Sequence, residues 1–304
     1  MILCAGEALI DMLPRQTKAG EDAFAPHAGG AVFNTAVALG RLGTPVQFFS
    51  GLSSDLFGDV LRDQLAASNV DSSPAAVSDR PTTLAFVTLT DGHASYAFYD
   101  ENTAGRMITV SDLPHVTAGA VFVGGISLAV EPCADAYEAL AAKAATTAVV
   151  MMDPNVRPSF IKNADAYRER ITRMMGYAEI VKMSDEDLAW FYPDDDTETA
   201  ARRVVANGVK LLCITEGSKG VTGYSSQHEV FVAAEKAEVV DTVGAGDTFN
   251  AGLLASLHSA GALSKDTVAS LDEETIHAAL SMGAKTAAIT VSRAGANPPW
   301  AHEL

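Results

Sequence analysis

Positive charge is scarce in this chain, where 21 Lys and Arg stand against 38 Asp and Glu for a formal net charge of −17. A duplex-wide nucleic-acid surface needs clustered Lys and Arg to displace counterions, so nucleic acid is excluded as a partner. The acidic excess reads as a solvated surface that keeps the protein soluble. Cysteine is scarce too, with Cys4, Cys133 and Cys213 each set in an apolar run. An odd number so placed argues for buried thiols in a reducing compartment and against a disulfide framework or metal cluster. The 7 histidines form no ligand pair. No apolar run reaches the ~18 residues that a membrane span needs, and MILCAGEALID carries no basic leader region. No membrane partner is expected, and the location implied is cytoplasmic. A GxxxxGK(S/T) sequence is also missing, which removes the Walker-type phosphate loop.

What is present is length and apolar content, 304 residues at 48% hydrophobic, enough for one large core. Short apolar runs at 2–5, 46–49, 121–123, 148–152, 180–183 and 211–214 alternate with helical patterns. That alternation predicts α/β architecture, a mainly parallel sheet covered by helices on both faces. Residues 82–99 read differently. Two strand-like runs, 85–89 and 94–98, flank Thr90-Asp91-Gly92-His93 as a β-hairpin, which the stretch after Asp11 would extend into a small separate sheet. Pro193-Asp194-Asp195-Asp196 reads as a surface turn into the helix after Thr197.

The stretch with most chemical content is DTVGAGDTFNAG, residues 241–252. Val239 and Val240 end a strand-like segment, and Phe249, Leu253, Leu254 and Leu257 recur at helical spacing. Gly244, Ala245, Gly246 and Asp247 therefore fall at a helix N-terminus, whose unpaired N–H groups and dipole suit an oxyanion. A carboxylate there would repel a phosphate, unless its task is to take a proton from an attacking hydroxyl. The other reading makes Asp247 a plain helix cap. A second glycine-rich element, HAGGAVFNTAVALGRLG at 27–43, sets Gly29 and Gly30 before an apolar helix with Asn34 in its first turn and Gly43 at its end.

Together, GGAVFNTAVALGRLG and DTVGAGDTFNAG resemble the two signatures of the ribokinase-like (PfkB) carbohydrate kinases, in the expected order and at about the expected separation. The resemblance covers the whole chain, including GEALIDMLP, DPNVRP and AAAITVSRAGANP, and is nearest to bacterial fructokinases. It implies one ribokinase-like domain over residues 1–304, with lid segments at about 12–28 and 79–105 forming a small β subdomain over the sugar.

The resemblance also assigns roles. Asp247 would be the general base, with the N–H groups of Ala245, Gly246 and Asp247 holding the charge on the transferring phosphoryl group and Gly244 beside them in the site. Asp11 would accept sugar hydroxyls, with Gly29, Gly30 and Asn34 beside it and Tyr99 and Arg106 near the substrate; the alternative for Asp11 is a loop cap. Arg157, between Pro154 and Pro158, suits phosphate or substrate oxygens, or else a salt bridge to Asp153. Lys182, Ser184, Thr215, Gly217, Gly220 and Asn297 would line the nucleotide. Where the family often has Asn-x-x-Glu this chain has Ser184 and Asp187, so Asp187 is expected to reach Mg²⁺ through water. Asp241 occupies a place used for a monovalent cation such as K⁺, with Gly295 on the opposing loop.

The activity implied is an ATP- and Mg²⁺-dependent sugar kinase acting on a primary hydroxyl, with fructose favoured. In place of a Tyr-x-Arg arrangement for a substrate carboxylate, the chain has Tyr99-Asp100-Glu101. Those two acids are expected to repel a sugar acid, unless they face solvent or Arg106 swings in. A kinase for 2-keto-3-deoxygluconate or a nucleoside remains within the family, and a silent sugar- or nucleotide-binding protein is the reading outside it. A homodimer is compatible with all of these.

Overall fold

In the computed structural model, which describes residues 1–90 and 93–304 and not the side chains of 88–96, the apolar runs become strands with both faces covered. In chain order the strands are β1 (Ile2–Ala5), β2 (Leu9–Gln16), β3 (Asp22–Gly29), β4 (Val46–Phe49), β5 (Gly51–Ser53), β6 (Ala76–Ser78), β7 (Leu84–Thr90), β8 (His93–Tyr99), β9 (Ala120–Gly124), β10 (Val149–Asp153), β11 (Ile180–Ser184), β12 (Leu211–Thr215), β13 (Gly220–Tyr224) and β14 (Glu229–Ala233). The helices are α1 (Ala31–Arg41), α2 (Leu56–Ala67), α3 (Cys133–Ala144), α4 (Ala164–Met175), α5 (Asp185–Phe191), α6 (Thr197–Ala206), α7 (Ala245–Ser259), α8 (Lys265–Val268) and α9 (Glu273–Val291).

The main sheet runs β14-β13-β12-β11-β10-β9-β1-β4. From β12 to β4 every pairing is parallel, and β13 and β14 close one edge antiparallel. Strand periodicity sends successive side chains to opposite faces. Accordingly Ile2, Cys4, Phe122 and Met151 join one buried cluster with α1, α7 and α9, while Leu3, Ala5, Val123 and Met152 join another with α3 and α4. Cys4, Cys133 and Cys213 are buried free thiols, as their apolar settings predicted. Chain order reverses at β1, with β4 on one side and β9 on the other. A ligand crevice in an open α/β sheet belongs at such a switch point, outside the carboxyl ends of the strands.

The second sheet, β3-β2-β7-β8, is the one expected from residues 82–99 and the stretch after Asp11. The turn expected at Asp91-Gly92 lies outside the described residues. The strand expected to end at Val239-Val240 does not form. Both valines are exposed, and the segment is an irregular connection held by Val240 and Asp241 N–H groups donating to the Val291 carbonyl. With no sheet neighbour, apolar character alone did not make a strand. The α6 start matches its reading, with the Asp196 carboxylate accepting from Thr199 N–H at 2.7 Å. No helix among the described residues is long and apolar enough to cross a membrane.

Candidate active site

The glycine-rich turn leads into α7 as its spacing predicted. Gly244 takes φ 79, in the left-handed region, and a Cβ there would stand 2.7 Å from the Ala296 Cβ, so glycine fits on both counts. The helix has no side-chain cap. Instead of capping, the Asp247 carboxylate accepts a hydrogen bond from Asn34 Nδ2 on α1 at 2.9 Å, and its backbone carbonyl accepts from Thr35 Oγ1 at 3.1 Å. Gly246 and Asp247 stand in the first turn, where helix geometry leaves N–H groups without an i−4 partner. The Ala245 N–H, by contrast, leans on the Thr242 carbonyl at 3.3 Å.

Asp247 is buried, and burial is the largest cause raising its carboxyl pKa from 3.8 to about 7. Asn34 opposes the rise, Asp153 adds to it, and Lys182 and Arg157 oppose it. A carboxyl poised near neutrality suits a proton acceptor.

Asp247 shares a cavity of 290 Å³ with Asp11, Asn34, Arg157, Phe98 and the turn from Thr242 to Gly246. Asp11 lies within β2, opposite His27 of β3, and burial raises its carboxyl to about 6. Gly29 makes room for it, because a Cβ there would meet Asp11 Oδ2 at 2.2 Å. Gly30 precedes α1 at φ 108, and its absent Cβ would sit 3.0 Å from the Glu7 carbonyl. Arg157 is exposed and lines the same cavity, its Nη1 donating to the Val156 carbonyl at 3.1 Å. Asp153 is not its partner. That carboxylate accepts from Lys182 Nζ at 3.1 Å and Asn250 Nδ2 at 2.7 Å.

The residues expected around the nucleotide are arranged at strand ends. Ser184 caps α5, accepting from Asp187 N–H at 3.0 Å, while Asp187 returns the contact to Ser184 N–H at 3.2 Å and holds Val156 N–H at 3.0 Å. Both Asp187 oxygens are thus engaged by backbone donors, and this capping box is the structural task visible for the pair. Thr215 ends β12, and Gly217 (φ 54) and Gly220 (φ 135) follow in the left-handed region. Asn297 is exposed and accepts from Arg41 Nη1 at 2.8 Å. Asp241 holds N–H groups of Val243 and Gly295, each at 3.0 Å, so its carboxylate ties together the two loops expected around a cation.

Two expectations are corrected. Arg106 does not reach the cavity. Its Nη1 pairs with Asp100 Oδ2 at 3.1 Å and its Nε donates to the Glu131 carbonyl. Tyr99 is 63% exposed and lines an adjoining cleft with Phe160 and Lys162, which meets the Asp247 cavity at Phe98. By strand alternation it is the neighbouring Phe98 that turns toward Asp11. Asp100 is buried against Arg106, so its charge is answered inside the protein, while Glu101 is exposed. The expected repulsion of sugar acids loses that support.

Sequence reasoning missed Glu7, which lines the cavity and accepts from Ala31 N–H at 3.0 Å, fixing the start of α1. Its signal was a lone acid closing the first apolar run. It also missed Asn250, whose helical spacing one turn beyond Gly246 was visible.

The family described as pfkB family carbohydrate kinase matches residues 1–303. The chain belongs to the pfkB family of carbohydrate kinases. A fructokinase of Rhizobium leguminosarum bv. trifolii is 54% identical over 278 residues, covering 91% of this chain and 85% of that protein. Among solved structures, fructokinase from Xylella fastidiosa with bound ATP has a TM-score of 0.88 at 31% identity, covering 97% of this chain and 93% of its own. Fructokinase from Vibrio cholerae O395, in a form with fructose, ADP and calcium ion bound, has a TM-score of 0.85 at 26% identity, covering 97% and 94%. The ribokinase-like fold expected from the two signatures is the fold found, and as a pfkB carbohydrate kinase the protein is a phosphotransferase acting on a sugar.

Proposed function

We propose that the protein is an ATP-dependent fructokinase that transfers the γ-phosphoryl group of ATP to the primary 6-hydroxyl of fructose. The observation that carries this reading is Asp247, a buried carboxyl in the first turn of α7 and in one cavity with Asp11. The 54% identity to a bacterial fructokinase supports the choice of sugar.

In this reading Asp11 and Asn34 accept and donate to sugar hydroxyls, and Phe98 roofs the ring. Asp247 takes the proton of the attacking hydroxyl as its oxygen bonds to phosphorus and the bond to the ADP oxygen breaks. N–H groups of Gly246 and Asp247, with Arg157, hold the charge spread over the transferring group. Phosphoryl transfer asks for alignment and charge stabilisation and little covalent chemistry from the protein. Thr215, Gly217 and Gly220 belong to the nucleotide side of the strand ends.

Mg²⁺ neutralises phosphate charge when it arrives with the nucleotide. Asp187, with both oxygens already taking backbone N–H groups, fits contact through water and not direct ligation. K⁺ at the Asp241 and Gly295 loops, a cytoplasmic location, a homodimer, and one domain over 1–304 with lid segments near 12–28 and 79–105 complete the proposal.

The test is a coupled assay of ADP release with ATP, Mg²⁺ and a sugar panel, with product identified by mass and position of phosphate. Fructose should be used with kcat/KM at least about tenfold above 2-keto-3-deoxygluconate, a gap of roughly 1.4 kcal/mol. Equal or better use of the sugar acid sinks the fructose assignment, and no ADP release with any sugar sinks the kinase.

A further inference from the structure

Lys182 is 4% exposed, on β11, with Asp153 of β10 at 2% and Asn250 of α7 at 1%. A buried ammonium needs a reason, since burial penalises its charge. Here Asp153 is the reason it stays charged: the pair closes at 3.1 Å, and despite burial the lysine is pushed above its ordinary range by Asp153, Asp187 and Asp247. The ammonium lies against the first turn of α7, where a Cβ on Gly246 would stand 3.0 Å from Nζ. A cation at a helix N-terminus opposes the dipole and lowers helix stability, so the placement is not explained by stability of α7. Asn250 fastens the arrangement to the same helix, its Nδ2 donating to Asp153 Oδ2 at 2.7 Å while its Oδ1 finds no partner within the described residues.

We propose that Lys182 and Asp153 form the electrostatic floor of the phosphoryl-transfer site, two positioning residues of opposite sign that act through space on Asp247 and never touch the sugar. This rests on Asp247 as the base. It replaces the nucleotide contact expected of Lys182 with a role beneath α7. Asp247 is faced by Asn34 from α1, Asp153 from β10, Lys182 from β11 and Arg157 from the loop after β10, and Asp187 at the start of α5 faces Lys182. Among these, Lys182 favours the ionised base and Asp153 disfavours it. The pair therefore holds the base between two opposed charges, and removing either one should move its titration in a known direction.

The experiment is the pH profile of kcat for fructose with the wild-type enzyme, Lys182→Met, Asp153→Asn and Asp247→Asn, each checked for fold by circular dichroism. The acid limb should move to higher pH in Lys182→Met and to lower pH in Asp153→Asn, each by on the order of one pH unit. The KM for fructose should stay within about threefold in both. A packing role would leave the limb in place, so limbs that do not move, or that move the same way, overturn the proposal. If Lys182→Met fails to fold, Asp153→Asn decides alone; failure of both makes the pair a stability element and overturns it. Asp247→Asn separates the two ideas: if that variant turns over at the wild-type rate, the base itself is misassigned.

Discussion

The floor of the site and its lid are built on opposite physical terms. Beneath α7, Lys182, Asp153, Asn250 and Asp247 are buried, and each charge there is answered by another within hydrogen-bond or short electrostatic reach. The β3-β2-β7-β8 sheet, the lid in the proposed function, is thin and half-exposed. On the face turned away from Asp11, Phe24, Phe86 and Tyr99 make an edge-to-face ladder, with centroids 5.0 and 5.4 Å apart and Phe24 44% exposed. The lid supplies the cavity with one carboxylate, Asp11, and one ring, Phe98. Buried charges gain strength from low dielectric and tolerate little change, whereas a half-exposed sheet can lose a contact and stay folded. The floor should therefore govern the rate of the chemical step, and the lid the capture of sugar.

The largest effect that sharpens this contrast is Asp247→Asn. It keeps the shape and removes the basic oxygen, so kcat should fall by roughly 10²–10⁴ with sugar and ATP binding retained, read by single-turnover kinetics and calorimetry. A near wild-type rate would break the assignment. In the wild-type enzyme the base must be ionised, so kcat should fall as pH drops through about 7. Stability runs with the opposite sign. A carboxyl raised from 3.8 to about 7 favours the fold most at low pH, and that contribution is lost as pH rises through about 7. Asp247→Asn should accordingly be more stable than wild type at pH 8, by on the order of 1–3 kcal/mol, and lose that advantage toward pH 4.

On the lid side, Asp11→Ala removes an acceptor for sugar hydroxyls. The kcat/KM for fructose should drop by about 10², while the KM for ATP moves less than about threefold. Unchanged sugar binding in the folded variant, measured by calorimetry, would return Asp11 to the loop-cap reading. Gly29→Ala tests the same carboxylate without deleting it. The added Cβ, at 2.2 Å from Asp11 Oδ2, forces that oxygen aside. The KM for fructose should rise about tenfold with kcat held within threefold, and a fall in kcat alone would blur the division between floor and lid.

Much of this was legible in the sequence, for definable reasons. The strands announced themselves because they are buried on both faces and read as unbroken apolar runs. The start of α7 was marked by glycines that only a turn requires. Val239 and Val240 misled because exposed apolar residues carry the same pattern without a sheet to join. Lys182, Asp153 and Asn250 meet only through the fold, 29 and 97 residues apart along the chain, and no local period encodes such a meeting. The pairing of Arg106 with Asp100, only six residues away, was hidden for another cause: spacing in a loop does not say where a side chain points.

That pairing gives the smallest expected effect and the finest test of the contrast. Arg106 lies just beyond the lid's sequence segment and holds Asp100 and the Glu131 carbonyl, and Asp100 lines the cleft of Tyr99 and not the cavity of Asp247. If sugar capture runs through Asp11 and Phe98, Arg106→Gln should leave the kcat/KM for fructose within about threefold. The cost should appear in stability, because Asp100 is left buried with a weaker partner. A part-exposed guanidinium limits that cost to about 1–2 kcal/mol, read as a lowered urea midpoint. A tenfold loss of fructose use without loss of stability would mean that Arg106 leaves Asp100 to reach substrate, and would restore it to the sugar site.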